Sequence, residues 1–359
     1  LAEQQVEQQA GGATAAGAEG TPAVAPDTAA DEPRRLTGPA GERRFAQPTS
    51  SNVRPVNSVL TGMSIGFSNS HFIADEVAPP VRVDGPTGSF FIWTRDYWFR
   101  RQSGSQRAPE GEYLQVGYGV TTATFETRER GFEKLTGRVT QQASQTPESL
   151  LQQDVRFLTN LMQLEVEKDV AAAAFTSGVW GTDVTLSGTG QWSDYANSNP
   201  IADIETGKRT IRRNTGASDP VLIIGALVWE KLKEHPLLLE KYKHSGAGVL
   251  TQELVAKALG VKKLVVGEAV ENTAAEGAAF SSADIWTDSA LLLAQTPGGG
   301  VSVPNGAYRL VWPESGAFPW GVEQYYWEPR RSDVTRIFSH WETKVTSSQH
   351  GYMVLDTVA

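Results

Sequence analysis

The chain has 359 residues, 40% of them hydrophobic, which is enough for a sizeable core, and it carries 32 Lys and Arg against 41 Asp and Glu for a formal charge of −9. The absence of cysteine excludes disulfide staples, thiol nucleophiles and thiolate-bound zinc or iron–sulfur sites. An acidic chain is also a poor ligand for nucleic acid, and no apolar run approaches the roughly 18 residues of a membrane span.

Residues 1–50 are rich in Ala, Gly, Gln, Glu and Pro, with almost no aromatic or branched apolar side chains before Phe45. Such a segment buries too little surface to offset its chain entropy, so an arm without a core of its own is expected over 1–57. Gly62-Met63-Ser64-Ile65-Gly66 matches G-x-S-x-G, but the elbow chemistry needs a buried strand before it and a helix after it. A turn-like Phe67-Ser68-Asn69-Ser70 follows, so a glycine-flexed connector is the better reading. Phe72-Ile73-Ala74 and Val81-Arg82-Val83 read as short strands around Pro79-Pro80.

Between Phe90 and Phe99 six of ten residues are aromatic, and Arg95, Arg100, Arg101 and Arg107 are threaded through and beyond them. Aromatic and Arg side chains carry protein–protein hot spots, so the stretch reads as an arm that another molecule buries. Residues 89–94 and 113–128 form two extended runs that frame the polar tip Gln102-Ser103-Gly104-Ser105-Gln106, the pattern of a long β-hairpin. An isolated hairpin is marginal in water unless something covers it.

Thr146-Pro147-Glu148 is a helix start, with Thr as N-cap, Pro at the first helical position and an acid in the positive first turn. Apolar residues then follow at approximate helical spacing to about Phe175, which predicts a long helical beam over 147–175. Glu165, Glu167 and Asp169 near its end sit at i, i+2, i+4, so Glu165 and Asp169 share a side and Glu167 lies well around from them. A solvated or interface-facing acidic surface is the expectation, rather than a metal or acid–base cluster.

Asn199-Pro200 caps a further helix through Ile201, Ile204 and Ile211. Residues 221–267 alternate: a strand Val221–Ile224, a helix around Trp229 and Leu232 halted at His235-Pro236, a helix from Thr251 closed by Gly260, and a strand Lys263–Val266. This predicts a compact α/β unit, with Leu291–Ala294 as a candidate strand and all-β character over 308–355. The five His show no ligand pair at helical spacing, the ten Trp accompany no distinct carboxylate pair, and Gly298-Gly299-Gly300 leads into Val-Ser-Val-Pro as a turn, not a phosphate loop. No catalytic, metal or cofactor site is supported.

The order of parts resembles the major capsid proteins of tailed bacteriophages with the HK97-like fold, over about 55–355. Local stretches carry the resemblance too: Phe72-Ile73-Ala74-Asp75-Glu76-Val77-Ala78-Pro79, Tyr118-Gly119-Val120, Glu129-Arg130-Gly131-Phe132-Glu133-Lys134, Trp192-Ser193-Asp194 with Pro200-Ile201-Ala202-Asp203-Ile204, and Ala256-Lys257-Ala258-Leu259-Gly260-Val261-Lys262 leading into Val265-Val266-Gly267. The resemblance implies an α+β capsid fold: an N-terminal arm at 1–57, a peripheral domain at 58–85 and 131–199 with a spine helix at 146–175, an extended loop at 86–130, an axial domain at 200–305, and peripheral return strands at 306–359.

It further implies a structural, non-enzymatic subunit of the virion that self-assembles into hexamers and pentamers of an icosahedral head. Identical copies are the main partners; portal, scaffolding and decoration proteins are others, and packaged double-stranded DNA is held only by weak non-specific contact. The subunit interface would take Arg95, Trp98, Arg100, Arg101 and Arg107 from the loop and Glu165, Glu167 and Asp169 from the spine. Some members of the family cross-link through Lys, Asn and Glu; Lys134 and Asn305 match by type only, so no cross-link is expected. An encapsulin-like compartment shell and a virion-associated glycan-processing enzyme stand as alternatives.

Overall fold

A computed structural model describes residues 72–93, 95–143, 147–242, 251–295 and 305–359. The expected N-terminal arm, the Gly62–Gly66 connector, His71, the Thr146 cap, His244 and the Gly298–Gly300 turn lie outside these residues.

The first described element is a single helical turn, α1 (Ala74–Val77), followed by strands β1 (Pro80–Arg82) and β2 (Thr87–Trp93), a helical turn α2 (Arg95–Trp98), and strands β3 (Val120–Glu126) and β4 (Arg128–Gly137). Helix α3 (Arg138–Ala143) precedes the long helix α4 (Pro147–Ala174), whose 28 residues span about 42 Å at 1.5 Å per residue. Next come β5 (Asp183–Thr185), α5 (Pro200–Thr215), β6 (Val221–Gly225), α6 (Ala226–Lys233), α7 (Pro236–Tyr242), α8 (Gln252–Leu259) and β7 (Lys263–Gly267). The chain closes with β8 (Val270–Asn272), β9 (Ser282–Asp284), β10 (Ala290–Leu293), β11 (Ala307–Trp312), β12 (Gly321–Trp327), β13 (Ser332–Val345) and β14 (Gly351–Leu355).

The helix boundaries follow from local chemistry. Asn199 caps α5 by accepting from the Ala202 N–H, Pro200 opens it, and Gly216 at φ 76° closes it. Thr251 caps α8 by accepting from Leu254 N–H, and Gly260 closes it in the left-handed region. The stretch Phe72-Ile73-Ala74, expected as a strand, instead leads into α1, because its N–H groups are taken by a carboxylate of α4 described below.

Two five-stranded sheets organise the rest. In one, the 14-residue strand β13 pairs with β4 along one edge and with β12 and then β11 along the other, and β1 adds to β11 in parallel. In the other, the order is β5-β14-β10-β6-β7, with parallel pairs at both ends and antiparallel pairs in the middle. Strand β14, expected among the peripheral return strands of 306–359, therefore completes the sheet of the 221–293 segment.

That second sheet is buried on both faces, and its period of two divides the core. Val221, Ile223, Val265, Leu291, Leu293 and Met353 face Val155, Leu158, Met162, Val166 and Val170 of α4 together with Val311, Ile337 and Trp341 of the first sheet. Leu222, Ile224, Leu264, Val266, Leu292, Tyr352 and Val354 face the other way, onto Ile204 and Ile211 of α5, Val228 and Leu232 of α6, Leu238 of α7 and Val255 and Leu259 of α8. The long helix is thus the beam between the two sheets.

Candidate subunit interface

The aromatic arm is a short hairpin with a long irregular tip. Strands β2 and β3 pair antiparallel from Thr87–Glu126 to Trp93–Val120. The tip between α2 and β3 forms no regular strand, so residues 113–119, expected to extend the hairpin, do not pair. The base of the hairpin is fastened to β13. The Glu126 N–H donates to Glu342 Oε2 at 2.7 Å and Lys344 Nζ donates to the Thr124 carbonyl at 2.8 Å, while Thr127 N–H closes the hairpin on itself by donating to the Pro86 carbonyl at 2.8 Å.

The arm turns back onto its own subunit at Arg95. Arg95 Nη1 donates to Asn214 Oδ1 at 2.9 Å and to Gln349 Oε1 at 3.1 Å, so it joins α2 to the end of α5 and the turn before β14. Gly216 lies under the Phe99 ring, and a Cβ there would stand 3.5 Å from it. Beyond this anchor the arm is open to solvent. Trp98 is 65% exposed and Tyr113 76%, and Phe91, Phe99, Val116 and Tyr118 are exposed as well. Arg100 stands 5.8 Å from the Tyr97 ring centroid, and Arg107 stands 4.5 Å from that of Tyr113 while donating to the Gly111 carbonyl at 3.0 Å. Stacked guanidinium groups and uncovered aromatics on one segment make a surface whose desolvation by a partner is favourable. Tyr113, Leu114, Val116 and Tyr118 belong to that surface and were read from sequence only as a strand; their exposure follows from the lack of a pairing strand.

The three acids of α4 separate as their spacing requires. Glu165 and Asp169 both reach Arg130, at 3.6 and 2.7 Å, and Asp169 also accepts from Thr343 Oγ1 at 2.6 Å and Trp341 Nε1 at 3.2 Å. Arg130 in turn lies 4.6 Å from the Trp341 ring centroid. A polar groove lined by Glu126, Arg128, Arg130, Asp169, Trp341, Glu342 and Thr343 runs between the hairpin base, α4 and β13.

Glu167 is a correction. It is fully buried, and its carboxylate accepts from Ile73 N–H at 2.9 Å, Ala74 N–H at 2.8 Å and Trp286 Nε1 at 2.6 Å. Inside one subunit it holds the start of α1 and the indole together, so it belongs to no solvated or interface surface. Burial pushes its carboxyl above the usual range, opposed by the hydrogen bonds from Ile73, Trp286 and Ala74. Arg309, 2% exposed, lies in the same region and donates to Asp75 Oδ1 at 2.8 Å. Burial lowers its guanidinium from the ordinary value, opposed by Asp75, Asp169 and Glu167.

Lys134 is ion-paired with the buried Asp154 of α4, which also accepts from Thr136 Oγ1 at 2.5 Å, and Asn305 is buried. Among the described residues no group of three or more His, Asp and Glu is placed to hold a metal ion, and no helix is long and apolar enough to cross a membrane.

No family model matches the chain. The major capsid protein of Burkholderia phage BcepMu is 30% identical over 230 residues, which cover 61% of this chain and 71% of that relative. The chain belongs to the phage major capsid proteins. The major capsid protein of Pseudomonas phage JBD67 is 26% identical over 232 residues, covering 62% of this capsid subunit and 72% of its own length. A phage-related protein from Bordetella bronchiseptica RB50 superposes with a TM-score of 0.68 at 20% identity, over 85% of the subunit and 98% of that chain. The capsid of cyanophage P-SCSP1u superposes with a TM-score of 0.53 at 13% identity, over 80% and 90%. The fold is the α+β, HK97-like capsid fold, and the place of the subunit is the virion shell, built of identical copies. The relatives favour neither a cellular compartment nor a glycan-processing enzyme.

Proposed function

We propose that the capsid subunit assembles into hexamers and pentamers of an icosahedral head enclosing double-stranded DNA, and that residues 86–130 form an extended loop that overlaps the adjacent copy. The observation that carries this reading is the exposure of Trp98, Phe99, Tyr113 and Tyr118 beside Arg100, Arg101 and Arg107 on an arm that its own subunit holds at the base and at Arg95. A lone subunit leaves that apolar surface wet, and a neighbour in the shell covers it.

In this reading α4 is the spine of a peripheral domain with the β13 sheet. The axial domain takes residues 200–295 together with β5 and β14, which share its sheet. Many modest contacts repeated through a closed shell give a stable particle although each is weak. The formal charge of −9 suits a container whose inner surface holds DNA only weakly and non-specifically. Portal, scaffolding and decoration proteins belong to the same reading as further partners, and no catalytic step is assigned to the subunit.

The test is assembly of the purified chain followed by electron microscopy. Arg100→Glu combined with Arg101→Glu is expected to abolish closed shells while the circular dichroism spectrum and unfolding midpoint stay unchanged. Normal particles from that variant would remove the loop from the interface, and a wild-type chain that stays a monomer or dimer under all conditions would remove assembly itself.

A further inference from the structure

Residues 268–284 form a second protruding element. Strands β8 and β9 pair from Val270–Asp284 to Asn272–Ser282, and Thr273 N–H donates to the Ser281 carbonyl at 2.8 Å. Asn272 Oδ1 accepts from both Ala274 N–H and Ser281 N–H at 3.1 Å, which closes the loop on itself. The base is fixed to the subunit by Ile285 N–H donating to the Ala269 carbonyl at 3.0 Å and by Lys168 Nζ on Glu271 at 2.6 Å. The element is therefore held in place before any partner arrives.

Its surface is unusual in two ways at once. Phe280 is 72% exposed and Val270 51%, two large apolar side chains on a two-stranded ribbon that the described residues leave uncovered. Between Gly267 and Ile285 the chain also carries four carboxylates, Glu268, Glu271, Glu276 and Asp284, and no Lys or Arg. The aromatic arm is the counterpart: from Arg95 to Arg107 it carries four Arg against Asp96 alone, with Tyr97, Trp98 and Phe99 exposed. One surface is basic and aromatic, the other acidic and apolar, and both are on every copy.

We infer that the β8–β9 hairpin of one copy is the docking surface for the Arg-rich arm of a neighbouring copy, with Phe280 and Val270 covered by the arm's aromatic side chains and Glu276 and Asp284 facing Arg100 and Arg101. This rests on the loop-overlap reading above and names the surface that receives the loop. A contact of this kind, arm to hairpin, is heterologous, so each copy gives one arm and receives another, as a ring or lattice requires. Opposite charge steers the encounter and sets the register, while the exposed aromatics supply the surface to be desolvated.

The experiment is charge exchange. Glu276→Lys with Asp284→Lys is expected to lower the yield of sedimenting particles at least tenfold, as Arg100→Glu with Arg101→Glu does, and the chain carrying all four substitutions is expected to recover most of the wild-type yield. If the arm variant fails and the hairpin variant assembles normally, the loop still overlaps a neighbour but docks elsewhere, and the inference falls. If the arm variant also assembles normally, the loop-overlap reading falls with it. A quadruple variant no better than either pair overturns the inference as well. Because the chain has no cysteine, a second readout is clean. Co-assembled Ser105→Cys and Gly277→Cys chains are expected to give a disulfide-linked dimer under mild oxidation only in particles, and its absence from well-formed particles would overturn the assignment.

Discussion

Glu167 on the long helix accepts a 2.6 Å hydrogen bond from the indole Nε1 of Trp286, 119 residues further along the chain. The same carboxylate accepts from the N–H groups of Ile73 and Ala74, so one side chain ties the start of α1, the spine and the segment after β9 into a single node. All three donors are buried with it, which makes the node a matter of stability and not of surface charge.

Glu167→Ala is expected to leave those three donors without an acceptor. Each buried unsatisfied group costs about 1–3 kcal/mol, offset in part because the buried charge and its desolvation penalty disappear, so a net loss of about 2–4 kcal/mol follows. Urea unfolding of the unassembled subunit measures it. Glu167→Gln keeps one acceptor oxygen and should lose less; equal midpoints for wild type and Glu167→Ala would refute the node.

Gly207 sits on the buried face of α5 against the second sheet. A Cβ there would stand 2.4 Å from Leu292 Cδ1 and 2.6 Å from Tyr352 Cδ1. Ala in place of Gly gains about 1 kcal/mol of helix propensity, but overpacking a tight core costs about 1–3 kcal/mol, and both neighbours are buried side chains with little room to move. Gly207→Ala is therefore expected to destabilise by about 1 kcal/mol and Gly207→Val by more, read as shifts in the thermal midpoint; a stabilised Gly207→Ala would show that α5 can lift off the sheet.

His235 joins α6 to α7 in a fully buried position. Its Nδ1 accepts from Leu237 N–H at 3.3 Å, and its Nε2 stands 3.1 Å from Ser198 Oγ, which itself donates to the Asp194 carbonyl at 2.6 Å. The neutral ring with its proton on Nε2 satisfies every partner, and burial holds its pKa below 6.5. The unfolded chain then binds the proton more readily, so stability is complete above about pH 6.5 and falls as pH drops toward the folded value. His350, also lowered by burial, acts in the same direction, whereas Glu167, raised by burial, gains stability as pH falls through its own range. The imidazole Cε1–H resonance of His235 followed by NMR should titrate with a midpoint below 6.5; a midpoint at or above 6.5 would contradict the packing.

Much of the local architecture was readable in the residues. Pro147 does open the long helix, Asn199-Pro200 and Thr251 do cap theirs, and Gly216 and Gly260 close them, because capping is decided within one turn of chain. The strands at 221–225, 263–267 and 290–293 appeared as short apolar runs because their sheet is covered on both faces, which leaves no polar face to alternate with. The i, i+2, i+4 argument also separated Glu167 from Glu165 and Asp169, yet it did not say which side was buried.

The rest needed long-range pairing. Phe72-Ile73-Ala74 has strand-like composition, but its N–H groups meet a carboxylate 94 residues away, and the chain turns into α1. Residues 113–118 have strand propensity without a partner strand, so Tyr113, Val116 and Tyr118 end in solvent. Strand β14 joins the sheet of β6 and β10 instead of its sequence neighbours β11 to β13, and only the pairing register reveals that. Composition, caps and spacing act over a few residues and so appear in a linear chain. Which strand lies beside which, which acid is buried, and which aromatic arm stays uncovered depend on contacts closed by the whole fold, and those contacts made an arm of this chain into a candidate interface.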